Sequence, residues 1–100
     1  MRRGTTAIYR IHLPVEEKNV KELEITYSQD GKVILVKGKG DCIFEGQTAL
    51  VKLTQEETFM FKDNCKAKYQ SRLLTVDGSV FGSNVEIIDV KESLSEEVLV

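Results

Sequence analysis

Residues 65–90 read CKAKYQSRLLTVDGSVFGSNVEIIDV and contain two long runs of strand character on either side of a Val-Asp-Gly-Ser turn. In the first run, small, aromatic and apolar side chains alternate with basic or amide ones, which is the period of a β-strand with one buried face. A hairpin of this length needs a second layer, because a two-stranded ribbon leaves its apolar face in water. The rest of the chain should therefore supply further strands that cover it.

The pairing of these two runs depends on the length of the turn. A two-residue loop would set Tyr69 opposite Glu86, whereas one additional residue sets Tyr69 opposite Ile87. The longer loop suits a buried face better, because it also places Ser71 opposite an apolar residue. We therefore predict a three-residue turn with a glycine bulge near Gly78.

The apolar residues of the second run change parity along the strand. Those on the first parity are Phe81, Val85 and Ile87, and those on the second are Ile88 and Val90. Adjacent apolar residues in one strand indicate either burial on both sides or a bulge that switches the buried face. We predict an irregularity at Ile87-Ile88.

Upstream segments with the same alternation predict strands at residues 6–13, 20–28, 41–45 and 48–53, with one more after Asp30-Gly31. Asp30-Gly31 is a hairpin signal, because a type I′ turn needs positive φ at both central residues. A two-residue loop there pairs Tyr27 with Ile34. The same register pairs Ile25 with Val36 and Glu24 with Lys37, so the apolar side chains share one face and the charged ones pair on the other.

Gly46-Gln47 predicts a second tight hairpin. Across this turn Phe44 faces Ala49 and Cys42 faces Val51, so the apolar sets of the two strands again coincide.

Thr54-Gln55-Glu56-Glu57 has the pattern of a capping box, Thr-x-x-Glu. The segment is too short for an independent helix. It predicts one or two helical turns that cross between layers, with Phe59 or Phe61 entering the core.

One hundred residues correspond to a single domain. We expect an all-β domain over residues 1–90, an antiparallel β-sandwich of about seven strands with one short helical turn near Thr54–Phe61. A five- or six-stranded barrel is the alternative. Residues 91–100 form a C-terminal tail, in which Ser93 and Glu96 would cap a short helix if the tail is not unstructured.

The composition argues against several functional classes. The formal net charge is −2 and 30% of the residues are charged, so both signs are mixed and no basic stripe for nucleic acid is expected. No apolar run approaches the roughly 18 residues of a membrane span. The N-terminus lacks the apolar core of a signal peptide, which predicts cytosolic synthesis and no membrane association.

No arrangement of residues indicates catalysis. The single histidine, His12, lies on the polar face of a predicted strand. Cys42 and Cys65 lack partners at metal-ligand spacing, and we expect two buried or half-buried thiols, with a disulfide also open. Motifs for a nucleophile elbow, a zinc protease and a phosphate loop are missing. We therefore expect no enzyme, no metal, no cofactor and no small-molecule ligand.

Protein–protein contact is the remaining class of function. Four apolar residues would point outward if the strand faces are assigned as above: Leu35, Ile43, Leu50 and Leu74. Exposed apolar residues and open sheet edges are both features of interaction surfaces. We predict that these four residues belong to an interface with another chain.

The chain resembles small prophage-encoded proteins of Gram-positive bacteria. The stretches that carry the resemblance are Arg3-Gly4-Thr5-Thr6 with residues 8–14, and residues 29–33, 53–58 and 75–78. That group is similar to the N-terminal immunoglobulin-like domain of phage baseplate upper proteins. The resemblance implies an immunoglobulin-like sandwich that serves as a structural or attachment part of a phage tail or baseplate. Its partners would be other phage structural proteins or further copies of itself, and its location would be the virion. The alternative is an adaptor that recognises a protein or carbohydrate through its loops or a sheet edge.

Overall fold

A computed structural model describes all residues from 1 to 100. The strands are β1 (Ala7–His12), β2 (Val20–Gln29), β3 (Lys32–Gly38), β4 (Cys42–Glu45), β5 (Thr48–Leu53), β6 (Lys66–Thr75), β7 (Val80–Gly82) and β8 (Glu86–Asp89). One α-helical turn, α1 (Gln55–Thr58), lies between β5 and β6, and single 3-10 turns occupy Glu17–Asn19 and Lys39–Asp41.

The strands form two antiparallel sheets. The small sheet has the order β1-β5-β4, and the large sheet has the order β3-β2-β6-β7, with β8 also paired to β6. In an immunoglobulin domain strands B, E and D share one sheet and strands C, F and G the other, to which the variable type adds C′. Here β1, β5 and β4 take the places of B, E and D, while β2, β3 and β6 take those of C, C′ and F. The domain is an immunoglobulin-like β-sandwich, as predicted, and the barrel alternative is wrong.

The N-terminus joins the small sheet to the large one. Arg2 forms a parallel bridge with Lys91, just after β8, and Arg3 N donates to Lys91 O at 3.0 Å. The Met1 ammonium donates to Asp89 O at 2.7 Å. These bonds tie both ends of the domain together before the chain enters β1.

The centre of the core is aromatic. Rings from three strands meet here, with centroids 5.6 Å apart for Tyr9 and Tyr27, and 5.1 Å apart for Tyr9 and Tyr69. Phe61 follows α1 and packs edge-on against Tyr27 at 6.2 Å. Phe61 is fully buried, so the prediction that a phenylalanine of this segment enters the core is confirmed. Burying one such side chain stabilises the fold by roughly 1.5–3 kcal/mol.

The β2–β3 hairpin has the predicted turn but a different register beyond it. Asp30 and Gly31 both have positive φ, +54° and +73°, and the strands resume with Gln29 opposite Lys32. A bulge between Tyr27 and Ser28 then shifts the pairing by one residue. The predicted pairing of Tyr27 with Ile34 is therefore wrong.

Two other local predictions are confirmed. Cys42 pairs with Val51 and Phe44 with Ala49 across the second hairpin. In the capping box, Glu57 N donates to Thr54 Oγ1 at 3.2 Å, while Thr54 N donates to Glu57 Oε1 at 2.9 Å.

The turn after β6 also has the predicted form. Thr75 N donates to Ser79 O at 2.8 Å and Gly78 N donates to Thr75 O at 3.0 Å, which leaves three residues in the loop. Gly78 has a φ of +90°, a conformation that glycine adopts without steric cost.

The register beyond this turn differs from the prediction. The ladder stops after β7, and Ser83 exchanges bonds with Ser71 instead: Ser83 N donates to Ser71 O, and Ser71 N donates to Ser83 Oγ, both at 2.9 Å. The register at β7 would carry Tyr69 to Val85, and one extra residue in this break shifts the pairing so that Tyr69 lies opposite Glu86. The predicted pairing of Tyr69 with Ile87 is therefore wrong. The irregularity therefore precedes β8 instead of falling at Ile87-Ile88.

This reset decides which apolar residues of the last strands are buried. Ile88 and Val90 belong to the core, as their parity predicted. Phe81, Val85 and Ile87 remain exposed, contrary to expectation.

Candidate interaction surfaces

The outer face of the small sheet carries three apolar side chains at neighbouring positions, two of them exposed and one half-buried. Ile43 and Leu50 are directly opposed cross-strand neighbours, and Ile43 is 70% exposed. Leu50 also pairs with Arg10 of β1, and Ile8, 64% exposed, pairs with Lys52. We call this set, Ile8, Arg10, Ile43, Leu50 and Lys52, the small-sheet patch. It unites two of the four residues predicted from sequence.

Leu74 lies on the opposite side of the sandwich. It faces outward on β6, between Glu22 of β2 and Val80 of β7. These residues line an open groove of about 490 Å³ on the large sheet, which also includes Val36. An ion pair of 3.4 Å between Arg72 and Glu24 borders the groove. Leu74 therefore belongs to a different surface from Ile43 and Leu50.

Leu35 does not point outward, and this part of the prediction is wrong. The bulge in β3, opposite Tyr27 and Ser28, places Leu35 opposite the buried Tyr27, where it packs against the core. The same shift turns Val36, which was expected in the core, toward solvent with 52% exposure.

One end of the sandwich has two pockets that the sequence did not indicate. Phe81, 43% exposed, lines both of them. One, of about 320 Å³, also includes His12 and Ser83. The other, likewise about 320 Å³, includes Asn19 and Val76. Sequence analysis assigned Phe81 to the core, because the break between β7 and β8 has no signature in the local alternation.

A salt bridge closes the sandwich near α1. Lys37 Nζ lies 2.6 Å from Glu57 Oε2, and the two side chains are only 13% and 25% exposed. Burial acts to raise the pKa of the Glu57 carboxyl, but hydrogen bonds from Lys37 and Thr54 lower it overall. The pair joins the large sheet to the helical turn that follows the small sheet. Sequence analysis placed Lys37 outside, opposite Glu24, and the bulge accounts for the difference.

The tyrosine cluster contains a hydroxyl without a protein partner. Tyr27 is fully buried and its hydroxyl forms no hydrogen bond with any protein group. Burial, with smaller contributions from the charges of neighbouring groups that include Glu57, raises the pKa of Tyr27. Burial and the nearby Tyr69 raise the pKa of Tyr9 to about 12. At neutral pH these phenols are protonated and serve as packing groups.

The remaining residues with catalytic potential are the two cysteines and His12. Both cysteines are free and half-buried, as expected. Cys42 Sγ donates to Gly38 O at 3.5 Å, and burial raises the pKa of the thiol, which disfavours the reactive thiolate. His12 is exposed and lies 3.4 Å from Thr48 Oγ1. The structure brings no group of three or more His, Cys, Asp or Glu side chains together as for a metal ion.

None of the helical segments has the length and apolarity that crossing a bilayer requires.

Comparison of the sequence with known protein families matches none of them, and no curated protein is significantly similar to it. Among solved structures, the V domain of amphioxus IgVJ-C2 is similar with a TM-score of 0.42 and 11% sequence identity. The alignment covers 90% of this chain and 96% of that domain.

Proposed function

We propose that this chain is a non-enzymatic structural or attachment module of a phage-like tail or baseplate assembly, which acts through protein–protein contacts. The observation that carries the proposal is the small-sheet patch. Ile43, Leu50 and Ile8 lie on one regular outer face, where cross-strand and diagonal neighbours are about 5–8 Å apart. Apolar side chains clustered on such a face favour contact with another protein.

The chemistry of the patch indicates how it would bind. Complete burial of one large aliphatic side chain contributes roughly 1.5–3 kcal/mol, so Ile43 and Leu50 would form the centre of the contact. Arg10 and Lys52 flank them and take part in none of the ion pairs of the molecule. A partner surface with an apolar centre and an acidic rim would complement this arrangement.

Self-association is the first test of this function. Static light scattering over a concentration series should give a mass that rises above the 11.3 kDa of one chain. Ile43→Glu and Leu50→Glu should each return the mass to that of one chain, because a buried unpaired carboxylate opposes contact. The matched control is Ile87→Glu, which changes an equally exposed isoleucine, 63% against 70%, on the large sheet. A mass of one chain at every concentration, or equal loss of assembly in all three variants, would contradict the proposal.

The second candidate function is an adaptor that recognises a peptide or a carbohydrate through its loops. The two pockets that share Phe81 favour it, because an exposed aromatic ring between pockets suits stacking on a sugar or a side chain. Under this function the chain stays monomeric, and Phe81→Ala abolishes binding in titrations against peptide and glycan panels. Ile43→Glu leaves such binding unchanged, which separates the two functions.

A further inference from the structure

The outer edge of β1 is open. Only β5 pairs with this strand. Leu13 N donates to Gln47 O at 2.7 Å and continues the β1–β5 register, so the odd-numbered residues of β1 bond to β5. The backbone N–H and C=O groups of Ile8, Arg10 and His12 therefore point away from β5, toward the free edge.

The other edges of the sandwich are protected or short. β3 carries a bulge opposite Tyr27 and Ser28, and its Lys37 is turned inward. Both features discourage pairing of β3 with a strand from another chain. β7 has three residues, and β4 and β8 have four each. β1 has six residues in unbroken register and no proline, so it is the edge best suited to accept another strand.

The C-terminal tail has the properties of a strand that could be donated. Leu99 and Val100 are exposed to solvent, Leu99 by 78%. A salt bridge of 2.9 Å from Arg3 to Glu96 and two hydrogen bonds between the Gln55 side chain and the Leu99 backbone hold the tail. The Gln55 bonds are exposed, and the salt bridge joins a largely covered Arg3 to an exposed Glu96. Each such contact contributes about 0.5–1.5 kcal/mol, so the tail can leave its own domain.

We infer that Glu97–Val100 of one copy of this chain pairs antiparallel with Ala7–Arg10 of a second copy. The register that sets Leu99 beside Ile8 brings apolar residues together on the outer face. It also aligns the tail with the open N–H and C=O groups of β1. In a twofold-symmetric pair each copy would donate one strand and accept one, so that the β1 edge of both copies is covered.

The charges of the two segments favour this register. They also favour a second copy of this chain as the source of the strand that pairs with β1. With Leu99 beside Ile8, Glu97 lies directly opposite Arg10. Both side chains are exposed, and neither takes part in an ion pair within its own domain. Opposite charges at directly opposed positions stabilise a strand pair, and like charges there destabilise it.

Charge reversal tests the pairing in the full-length chain. Arg10→Glu and Glu97→Lys should each weaken association by about five- to tenfold, because each creates a like-charge pair. The double variant should restore the affinity to within about threefold of wild type, because it recreates an opposite-charge pair. Glu92→Lys is the matched control, since it changes the charge of the tail equally and lies outside the paired segment. Failure of the double variant to recover would overturn the inference.

Amide hydrogen exchange locates the contact. The N–H groups of Ile8 and Arg10 should exchange at least about tenfold more slowly in the associated state than in dilute monomer, because pairing buries them in a ladder. Ile8→Pro should abolish association and leave the fold intact, since this N–H points away from β5. Protection that is independent of concentration would mean that the tail occupies its own edge, and would overturn pairing between copies.

This inference rests on the self-association in the proposed function. Variants at the small-sheet patch and in the tail distinguish a failure of the inference from a failure of the proposed function. If Ile43→Glu dissociates the assembly while Glu97→Lys does not, the small-sheet patch is the interface and the tail inference is wrong. If Glu97→Lys dissociates it and Ile43→Glu does not, the tail inference stands without the patch; Arg10 belongs to both surfaces, so the comparison uses Glu97. A wild-type chain that stays monomeric excludes both.

Discussion

Two polar sites in this domain, one half-buried and one fully buried, are built in opposite ways. Lys37 and Glu57 form a close ion pair, and Glu57 also bonds to Thr54 in the capping box. The Tyr27 hydroxyl, deeper in the same interior, has no protein partner. A buried polar group stabilises a fold only when its hydrogen bonds replace those lost from water. The first site should therefore increase the stability of the fold, and the second should decrease it.

The largest expected effect comes from breaking the satisfied site on one side only. Glu57→Ala removes the carboxylate that accepts from Thr54 N in the capping box, and it leaves the Lys37 ammonium largely buried without its partner. Loss of one such hydrogen bond costs about 0.5–1.5 kcal/mol, and an unsatisfied, partly buried charge costs about 1–3 kcal/mol. Chemical denaturation should show a decrease in the free energy of unfolding of about 2–4 kcal/mol.

The control for this prediction is Lys37→Met, which keeps the apolar stem and the cap. It should cost no more than about 1 kcal/mol, because Glu57 retains its bonds with Thr54. Equal losses in both variants would show that the ion pair itself, rather than the burial of an unpaired lysine, determines the stability of this site.

The unsatisfied site should respond in the opposite direction. Tyr27→Phe removes a buried hydroxyl that forms no hydrogen bond with the protein, and it leaves the ring packing unchanged. The free energy of unfolding should stay constant or rise by up to about 1–2 kcal/mol. Tyr69→Phe is the matched control at a half-buried ring, where the change should be smaller. A loss of more than about 1 kcal/mol in Tyr27→Phe would mean that this hydroxyl is satisfied in solution.

The sequence alone could not predict the difference between these two sites, because the pattern of β3 is ambiguous. Residues 33–36 form a continuous apolar run, so either parity of β3 satisfies a hydrophobic face. Alternation could not reveal the bulge opposite Tyr27 and Ser28. That bulge alone turns Lys37 toward Glu57 and Leu35 toward the core.

The opposite holds where alternation is strict. In β6 every second residue is basic or an amide along most of its length, and its buried face was predicted correctly. The β4–β5 register was also predicted, because the turn and the apolar pattern agree and no bulge intervenes. The predicted interface residues divide along the same line. Ile43 and Leu50 lie in regular strands and point outward on one face, as predicted. Leu35 follows a bulge and points toward the core instead.

The smallest expected effects are those of pH, and they have opposite signs at the two sites. The pKa of Glu57 is lowered from 4.5 by its partners, so its contribution is present above that pH and is lost as the pH falls through the lower folded-state value. Lys37→Met should flatten this acid limb of the stability profile. An unchanged acid limb in that variant would show that other carboxylates control acid unfolding.

The tyrosine cluster determines the alkaline limb. The pKa of Tyr9 is raised from 10.0 to about 12, so the folded state holds its proton more tightly than the unfolded state. Its contribution is complete below pH 10 and is lost progressively as the pH rises toward about 12. Denaturation measured across this range should show stability falling more steeply in the wild type than in Tyr9→Phe. Ultraviolet absorbance of the phenolate would report whether ionisation of tyrosine accompanies the loss of stability. Parallel alkaline limbs in the two proteins would mean that Tyr9 ionises without disturbing the cluster, and that the buried Tyr27 alone resists alkali.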